Sequence, residues 1–452
     1  MALPISAQIQ NDAQRRQQEI EKIRDLEMRE FYGEPIDHFY FDYGLWVRPG
    51  WFSYEDGRGT ETSQSDLDTR LWFDMRSGVH QLYGRLIVDY YNYAHGDGPD
   101  GDDHELDGPR GDVVFYQVHL GELLGTPDRT WDLVARAGRQ YVQLGSGLVY
   151  NNIADGLTLR GNVGSFPFDL FALRSMPHED DLDQSRPNPD ETERLFFGGT
   201  LKYTGIPDQL PYLAVLIERD RLDEDPENTF QDYEFDAEYF GLGMQGRIAE
   251  RFFYEVEAWY QSGERFAHLQ TGSGEDVGAF AFVSSLEHRF HARTLPTLEL
   301  GVMFGSGDSD RFRVLNTEFG NRIGTPDRAF LGFGYIPTGY SLAPYLSNLW
   351  IFHLGGSIRP LMGKTVATLP MDGLELSLDF YGYRKHRKKG GISDPFADFE
   401  HAGIGYEVDF TVNWDILSDV SLLARLGIFK PGSAYDLDDT RKYVSFSLLL
   451  AF

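Results

Sequence analysis

From Ile36 to the C-terminus the sequence runs in a period of two, and this alternation constrains the fold more than any other feature. In His38–Arg48, Phe39, Phe41, Tyr43, Leu45 and Val47 fall on one face, with Asp42, Trp46 and Arg48 on the other. In Leu67–Met75 the odd positions are mostly apolar, while Asp68, Arg70, Asp74 and Arg76 point the other way. In Gln81–Tyr91, Leu82, Leu86, Val88 and Tyr90 oppose Gln81, Arg85 and Asp89. Successive side chains of a strand point to opposite faces, so each run has one lipid-like face and one wet face.

A chain of 452 residues would ordinarily divide into two or three soluble domains. No linker or repeated helical pattern divides this one. Continued to Phe452, the alternation yields roughly eighteen strands, a number normal for a pore-forming barrel. The connections decide the class. Short turns at Ser77-Gly78, Gly164-Ser165, Glu250 and Ser418 alternate with expected long loops at 49–65, 94–111, 176–193, 221–235, 307–348 and 385–401. That alternation is the signature of periplasmic turns and extracellular loops. No run of 18 or more apolar residues exists, so no helix spans a membrane. A mean hydropathy of −0.39 would suggest a soluble chain, but in a barrel only alternate residues meet lipid. The last strand places Val444, Phe446, Leu448, Leu450 and Phe452 on one face. It is the kind of terminal strand that barrel-assembly machinery reads. The expected fold is therefore all-β, a transmembrane antiparallel barrel over 35–452 in the bacterial outer membrane.

The net charge is −30, which argues against nucleic acid as a partner. Segments 94–112, 177–193 and 220–236 carry 7, 7 and 8 acidic residues against one basic residue each, supplying −19 of that charge. All three are rich in Pro, Gly or Asp and read as loops. The absence of Cys excludes disulfides and thiolate metal sites. Ile5-Ser6-Ala7 resembles the end of a signal peptide, an ordinary start being the other reading. Residues 8–31, rich in Gln and Glu with Ile9, Ala13, Ile20, Ile23 and Leu26, read as a short helix. The stretch 1–34 is thus expected to be a periplasmic helical arm, either plugging the pore, pairing with a secretion partner, or fraying.

Phe429-Lys430-Pro431-Gly432-Ser433-Ala434-Tyr435 closes the penultimate strand. Together with Gly138-Arg139-Gln140, Gly305-Ser306-Gly307, Leu346-Ser347-Asn348-Leu349 and Gly405-Tyr406-Glu407-Val408-Asp409, in that order, it resembles the alginate export family of outer-membrane porins. The resemblance covers about 38–452. It implies an eighteen-stranded barrel exporting a polyuronate through an arginine-lined constriction gated by loops and turns. Carried over residue by residue, it puts Arg48 and Arg70 on the lumen side of the first two strands and makes Arg139 the Arg of Gly-Arg-Gln. Arg328 corresponds to a loop arginine. Arg425 matches one of two penultimate-strand arginines, the other being replaced by Leu423.

Arginine suits a passing polyanion because its planar fork pairs with carboxylates and stays charged. Arg48, Arg70, Arg85 and Arg425 have inward parity; Arg139 and Arg136 have opposite parities, so only one faces inward unless Gly138 marks a bulge. Lys430 joins the expected substrate pathway, as do the acidic Asp89, Glu407 and Asp409. The bland reading is that these charges pair across strands and stiffen the interior. An acidic exopolysaccharide is the expected cargo, with a general or cation-favouring porin, or a structural barrel with a blocked lumen, as alternatives. No enzyme motif of the Gly-x-Ser-x-Gly or His-Glu-x-x-His type occurs, and no cofactor is expected. The one candidate metal is Ca²⁺ on Asp97, Asp100, Asp102 and Asp103, in an oxygen-rich loop; a solvated loop is the competing reading. Arg384-Lys385-His386-Arg387-Lys388-Lys389, just after a strand, is expected to meet lipopolysaccharide or an emerging polyanion, among outer-membrane lipids.

Overall fold

The computed structural model describes residues 35–94, 103–125, 131–176, 181–186, 192–221, 232–267, 272, 274–316, 320–436 and 439–452. The expected arm, residues 1–34 with its helix, lies outside them. The first strands are β1 (Ile36–Glu55), β2 (Glu61–Gly78), β3 (His80–Tyr93), β4 (His104–His119), β5 (Trp131–Leu144) and β6 (Tyr150–Val163). Then come β7 (Phe166–Arg174), β8 (Arg194–Lys202), β9 (Gln209–Asp220), β10 (Phe235–Ala249), β11 (Phe252–Arg265), β12 (Glu275–Arg289) and β13 (Thr297–Gly305). After β14 (Leu349–Ile358), a small hairpin of β15 (Thr365–Val366) and β16 (Leu369–Pro370) precedes β17 (Leu374–Lys385), β18 (Gly403–Leu417), β19 (Val420–Pro431) and β20 (Arg441–Ala451). One helical turn, α1 (Leu120–Leu123), follows β4.

Eighteen of these strands form one antiparallel sheet, each bonded to the next, and β20 pairs back onto β1. Closure leaves no sheet edge, which is what lets a β-structure satisfy its backbone inside lipid. The odd-numbered face of β1 is exposed, with Phe39, Phe41 and Tyr43 at 67%, 50% and 69%. Its even face, with Trp46, Arg48, Phe52 and Tyr54, is buried inside. The same division runs around the ring: Leu71, Leu86, Leu157, Leu213, Leu242, Phe280, Leu354 and Leu378 lie outside and are exposed. An apolar belt of that extent exceeds what a water-facing surface tolerates. Gly164 (φ +57°) shows why the turns between β6 and β7 and its counterparts are so short: the left-handed residue reverses the chain in two positions.

Two of the expected long loops contain strand. Within 49–65, β1 runs on to Glu55 and β2 begins at Glu61. Pro49 is tolerated because the β1–β20 pairing passes from Val47↔Leu450 to Gly50↔Ser447, so its missing N–H interrupts no bond there. Within 94–111, β4 already begins at His104. Its register against β3 shifts between Arg85↔Val113 and Leu86↔Gly111, leaving Asp112 as an extra residue. A bulge of this kind re-aims a side chain, and here it turns Asp112 inward.

Candidate functional site: a lumen crossed by one long loop

Of the connection between β13 and β14, the stretch 329–343 folds into the barrel instead of standing above it. Phe330, Leu331, Tyr335, Ile336 and Leu342 are all buried. On one wall, Phe333 N–H donates to the Val149 carbonyl at 2.9 Å and the loop bridges β6 at Tyr150. Gly334 is required there, because a side chain would collide with the Gly147 carbonyl. Midway, Leu331 N–H donates to Gln261 Oε1 (3.0 Å) and its carbonyl accepts from the Tyr239 hydroxyl (2.5 Å). On the far wall, Tyr340 N–H donates to Asp409 Oδ2 (3.0 Å) and Leu342 N–H to Glu407 Oε2 (2.9 Å). Ser341 N–H also donates to Glu407, and the Tyr383 hydroxyl donates to the Thr338 carbonyl (2.8 Å). β18 stands eight strands from β6 one way around the ring and ten the other. The loop therefore spans the bore from side to side.

This geometry assigns Glu407 and Asp409, both at most 1% exposed, to holding that loop. Glu257 does the same for the 145–149 connection, accepting from Ser146 N–H (2.9 Å), Ser146 Oγ (2.6 Å) and Trp259 Nε1 (2.5 Å). A buried carboxylate needs such donors, since desolvating an unpaired charge is prohibitive.

Arg48, Arg70, Arg85 and Asp89 face inward as their parity requires, but they sit in a paired cluster on β1–β4. Arg70 binds Asp68 (2.9 Å) and Asp112 (2.9 Å), and Arg85 binds Asp112 (2.6 Å). Arg48 lies directly across from Asp68, and Asp89 is 3.6 Å from Arg110. Arg425 faces inward beneath the crossing loop, its guanidinium 5.2 Å from the Tyr340 ring centre.

Two expected lumen residues are not in the lumen. The β4–β5 pairing runs through Gly138 without a shift, so no bulge resets the parity, and Arg139 pairs across from the exposed, outward Val114. There it binds Asp155 at 2.8 Å on the outer face. Lys430 pairs across from Tyr406, 50% exposed, and likewise points outward. Arg328 is exposed on the crossing loop. Of the proposed calcium ligands, Asp97, Asp100 and Asp102 lie outside the described residues, while Asp103 is described and exposed. Among the described residues no group of three His, Asp or Glu is placed to hold a metal.

Residues missing from the expected pathway line a cavity of about 350 Å³ on the inner wall of β4–β8, with Arg136, Arg160, Lys202, Asp169 and His119 among them. Arg136 lies 3.8 Å over the Phe115 ring and donates to Gln117 (3.0 Å). Arg160 and Lys202 share Asp169, at 2.6 and 3.5 Å. Strict parity along β6 and β8 would have found both cations.

Between β7 and β8, Asp181 is held by Arg194 (2.7 Å) and Arg186 (3.2 Å). Burial opposes its ionisation, but the two guanidinium groups outweigh it and hold the carboxyl below the usual range. A carboxyl depressed in the fold contributes stability above its unfolded pKa, about 3.9, and loses it as pH falls through the folded value. Amide hydrogen exchange at 181–186, corrected for its intrinsic pH dependence, should therefore accelerate only below about pH 4, and Asp181→Asn should abolish that onset. Equally fast exchange already at pH 6 in the native protein would contradict this.

The barrel shares its fold with solved outer-membrane barrels. It superposes on Pseudomonas aeruginosa OccK8 (OprE) with a TM-score of 0.55 and 10% identity, over 91% of this chain and 98% of that one. For P. aeruginosa OccK11 (OpdR) the values are 0.53 and 13%, over 93% and 100%. For the P. aeruginosa outer membrane protein OprD they are 0.54 and 9%, over 93% and 96%. At such identities the likeness shows the fold, that of outer-membrane barrels. No curated protein matches the chain in sequence. The family model described as "Alginate export" matches residues 132–444, more than half of the chain, from β5 into the last strand. With the closed barrel, this match shows that the chain belongs to the alginate export family.

Proposed function

We propose that the protein is a passive outer-membrane channel conducting an acidic exopolysaccharide, one chain at a time, without catalysis or cofactor. The alternation of turns and loops orients the long connections, including the crossing loop, to the cell exterior. The observation that carries the reading is the inward group of Arg136, Arg160 and Lys202 at the β4–β8 cavity. Guanidinium and ammonium groups match carboxylates in turn. Asp169 between Arg160 and Lys202 tempers them, as passage requires sites that release what they bind. The carboxylates nearest the crossing loop, Glu407 and Asp409, are turned to its N–H groups and oppose a polyanion little.

A second reading, a cation-favouring porin, draws on the opposite wall. There Glu299 and Asp379 flank His353, at 3.9 and 2.8 Å. Ion selectivity in planar bilayers separates the two. Anion preference that falls severalfold in Arg160→Ala/Lys202→Ala, together with transient current block by oligouronates, is the expected result. A wild-type cation preference that the double substitution leaves unchanged would favour the second reading and end the first.

A further inference from the structure

On the outside of the barrel, β13, β14, β17 and β18 present side chains in ordered rows towards the loop end. The first row is Leu300, Leu354, Phe380 and Val408; the next is Val302, Phe352, Gly382 and Tyr406; the last is Phe304, Trp350 and Arg384. A mostly aliphatic row thus gives way to a mixed row and then to two aromatics beside a cation. Arg387 and Lys388 continue immediately beyond, and both are exposed. Trp350, Phe352, Arg384, His386 and Lys388 line an outward cavity of about 420 Å³.

The floor is built. Phe304 and Trp350 rings are 4.3 Å apart, and Trp350 lies parallel to Phe352 at 6.4 Å. His386 packs edge-on to Phe304 at 5.1 Å and accepts the Gly307 N–H at 3.1 Å through Nδ1. Burial and the neighbouring Arg387 push that imidazole down, in keeping with an accepting nitrogen. The cations are a different matter. Elsewhere on the outer face near the loops, arginines are matched: Arg139 to Asp155, Arg174 to Glu193, Arg219 to Glu238. Arg384, Arg387 and Lys388 have no carboxylate partner among the described residues, in a chain of net charge −30. The neighbouring Lys389 reaches only Glu400, at 3.9 Å.

We propose that this outer-wall cavity binds a phosphorylated lipid A headgroup of the outer leaflet, with its phosphates on Arg384 and Lys388 and its first acyl carbons over Trp350 and Phe352. An interfacial aromatic floor suits a ligand that is apolar at one end and wet at the other. Clustered cations at the rim suit phosphate, which a guanidinium grips bidentately. A polymer leaving through the bore meets the inner wall and the crossing loop, not this lipid-facing surface. The site rests on the loop end facing outward. Because it is measured on the purified barrel, it stands apart from what the bore conducts.

The test is titration of full-length protein in detergent, by native mass spectrometry, with bisphosphorylated lipid A, its dephosphorylated form, inorganic phosphate and an oligouronate. Bisphosphorylated lipid A should bind, and Arg384→Gln/Lys388→Gln should weaken it roughly tenfold, the loss of about one charged hydrogen bond. Arg174→Gln should not. Quenching of tryptophan fluorescence by brominated acyl chains, reduced in Trp350→Phe, supplies a second readout. Equal binding of the dephosphorylated lipid would reduce the cavity to an acyl groove and overturn the proposal. Saturation by inorganic phosphate at similar concentrations, or displacement by the oligouronate, would overturn it too, in favour of a free-anion site or an exit track.

Discussion

Glu407→Ala/Asp409→Ala should raise single-channel conductance severalfold and make the open current noisy. The two carboxylates receive the Tyr340, Ser341 and Leu342 N–H groups where the crossing loop meets β18. A buried hydrogen bond contributes about 0.5–1.5 kcal/mol net. Losing three of them costs about 3 kcal/mol of anchoring. That shifts the attached-to-released equilibrium roughly a hundredfold. The barrel wall itself should survive, since β18 keeps its pairing with β17 and β19. Heat-modifiable gel migration checks that point. Conductance equal to the wild type, in a folded variant, would mean that the contacts at β6, β10 and β11 hold the loop without β18.

Arg194→Met should be the most damaging single substitution in the loop-end region. Arg194 is 3% exposed and meets Asp181 at 2.7 Å, Glu218 at 2.7 Å and Asp220 at 3.1 Å, with the Phe333 ring 5.3 Å away. Methionine keeps most of the volume but leaves Asp181 and Asp220 to Arg186 alone and takes from Glu218 its arginine. Breaking a buried pair from one side costs about 3–5 kcal/mol. The urea midpoint of vesicle-folded protein should fall accordingly. Arg174→Met is the control: its pair with Glu193 is about half exposed on both sides, and such pairs are worth roughly 0–1 kcal/mol. Matching midpoints for the two variants would refute the difference.

The strand count, the closed class and the inward parity of Arg48, Arg70, Arg85 and Arg425 were legible because a period of two is a local property. Parity also excluded Lys430 from the lumen: Phe429 faces in, so its neighbour faces out. The error came from reading a motif in place of the alternation. Arg139 turned on whether Gly138 carried a bulge, and only the pairing with β4 decides that. Loop limits failed where Pro49-Gly50 and Gly108-Pro109 read as breaks inside real strands. The burial of Glu407 and Asp409 depends on a loop some seventy residues away in sequence folding back on them. No window of sequence around β18 contains that information.

The seam of the ring closes between strands far apart along the chain. Phe452 and Leu45 exchange hydrogen bonds in both directions, Leu45 N–H to the Phe452 carbonyl at 3.0 Å and Phe452 N–H to the Leu45 carbonyl at 2.8 Å. The seam of the ring therefore joins β1 to the residue that follows β20. Contacts so distant along the chain form slowly, because the whole intervening loop must be closed first. Until β20 docks, β1 has one unpaired edge, so the folding barrel is open to pairing with a wrong strand until that last seam closes.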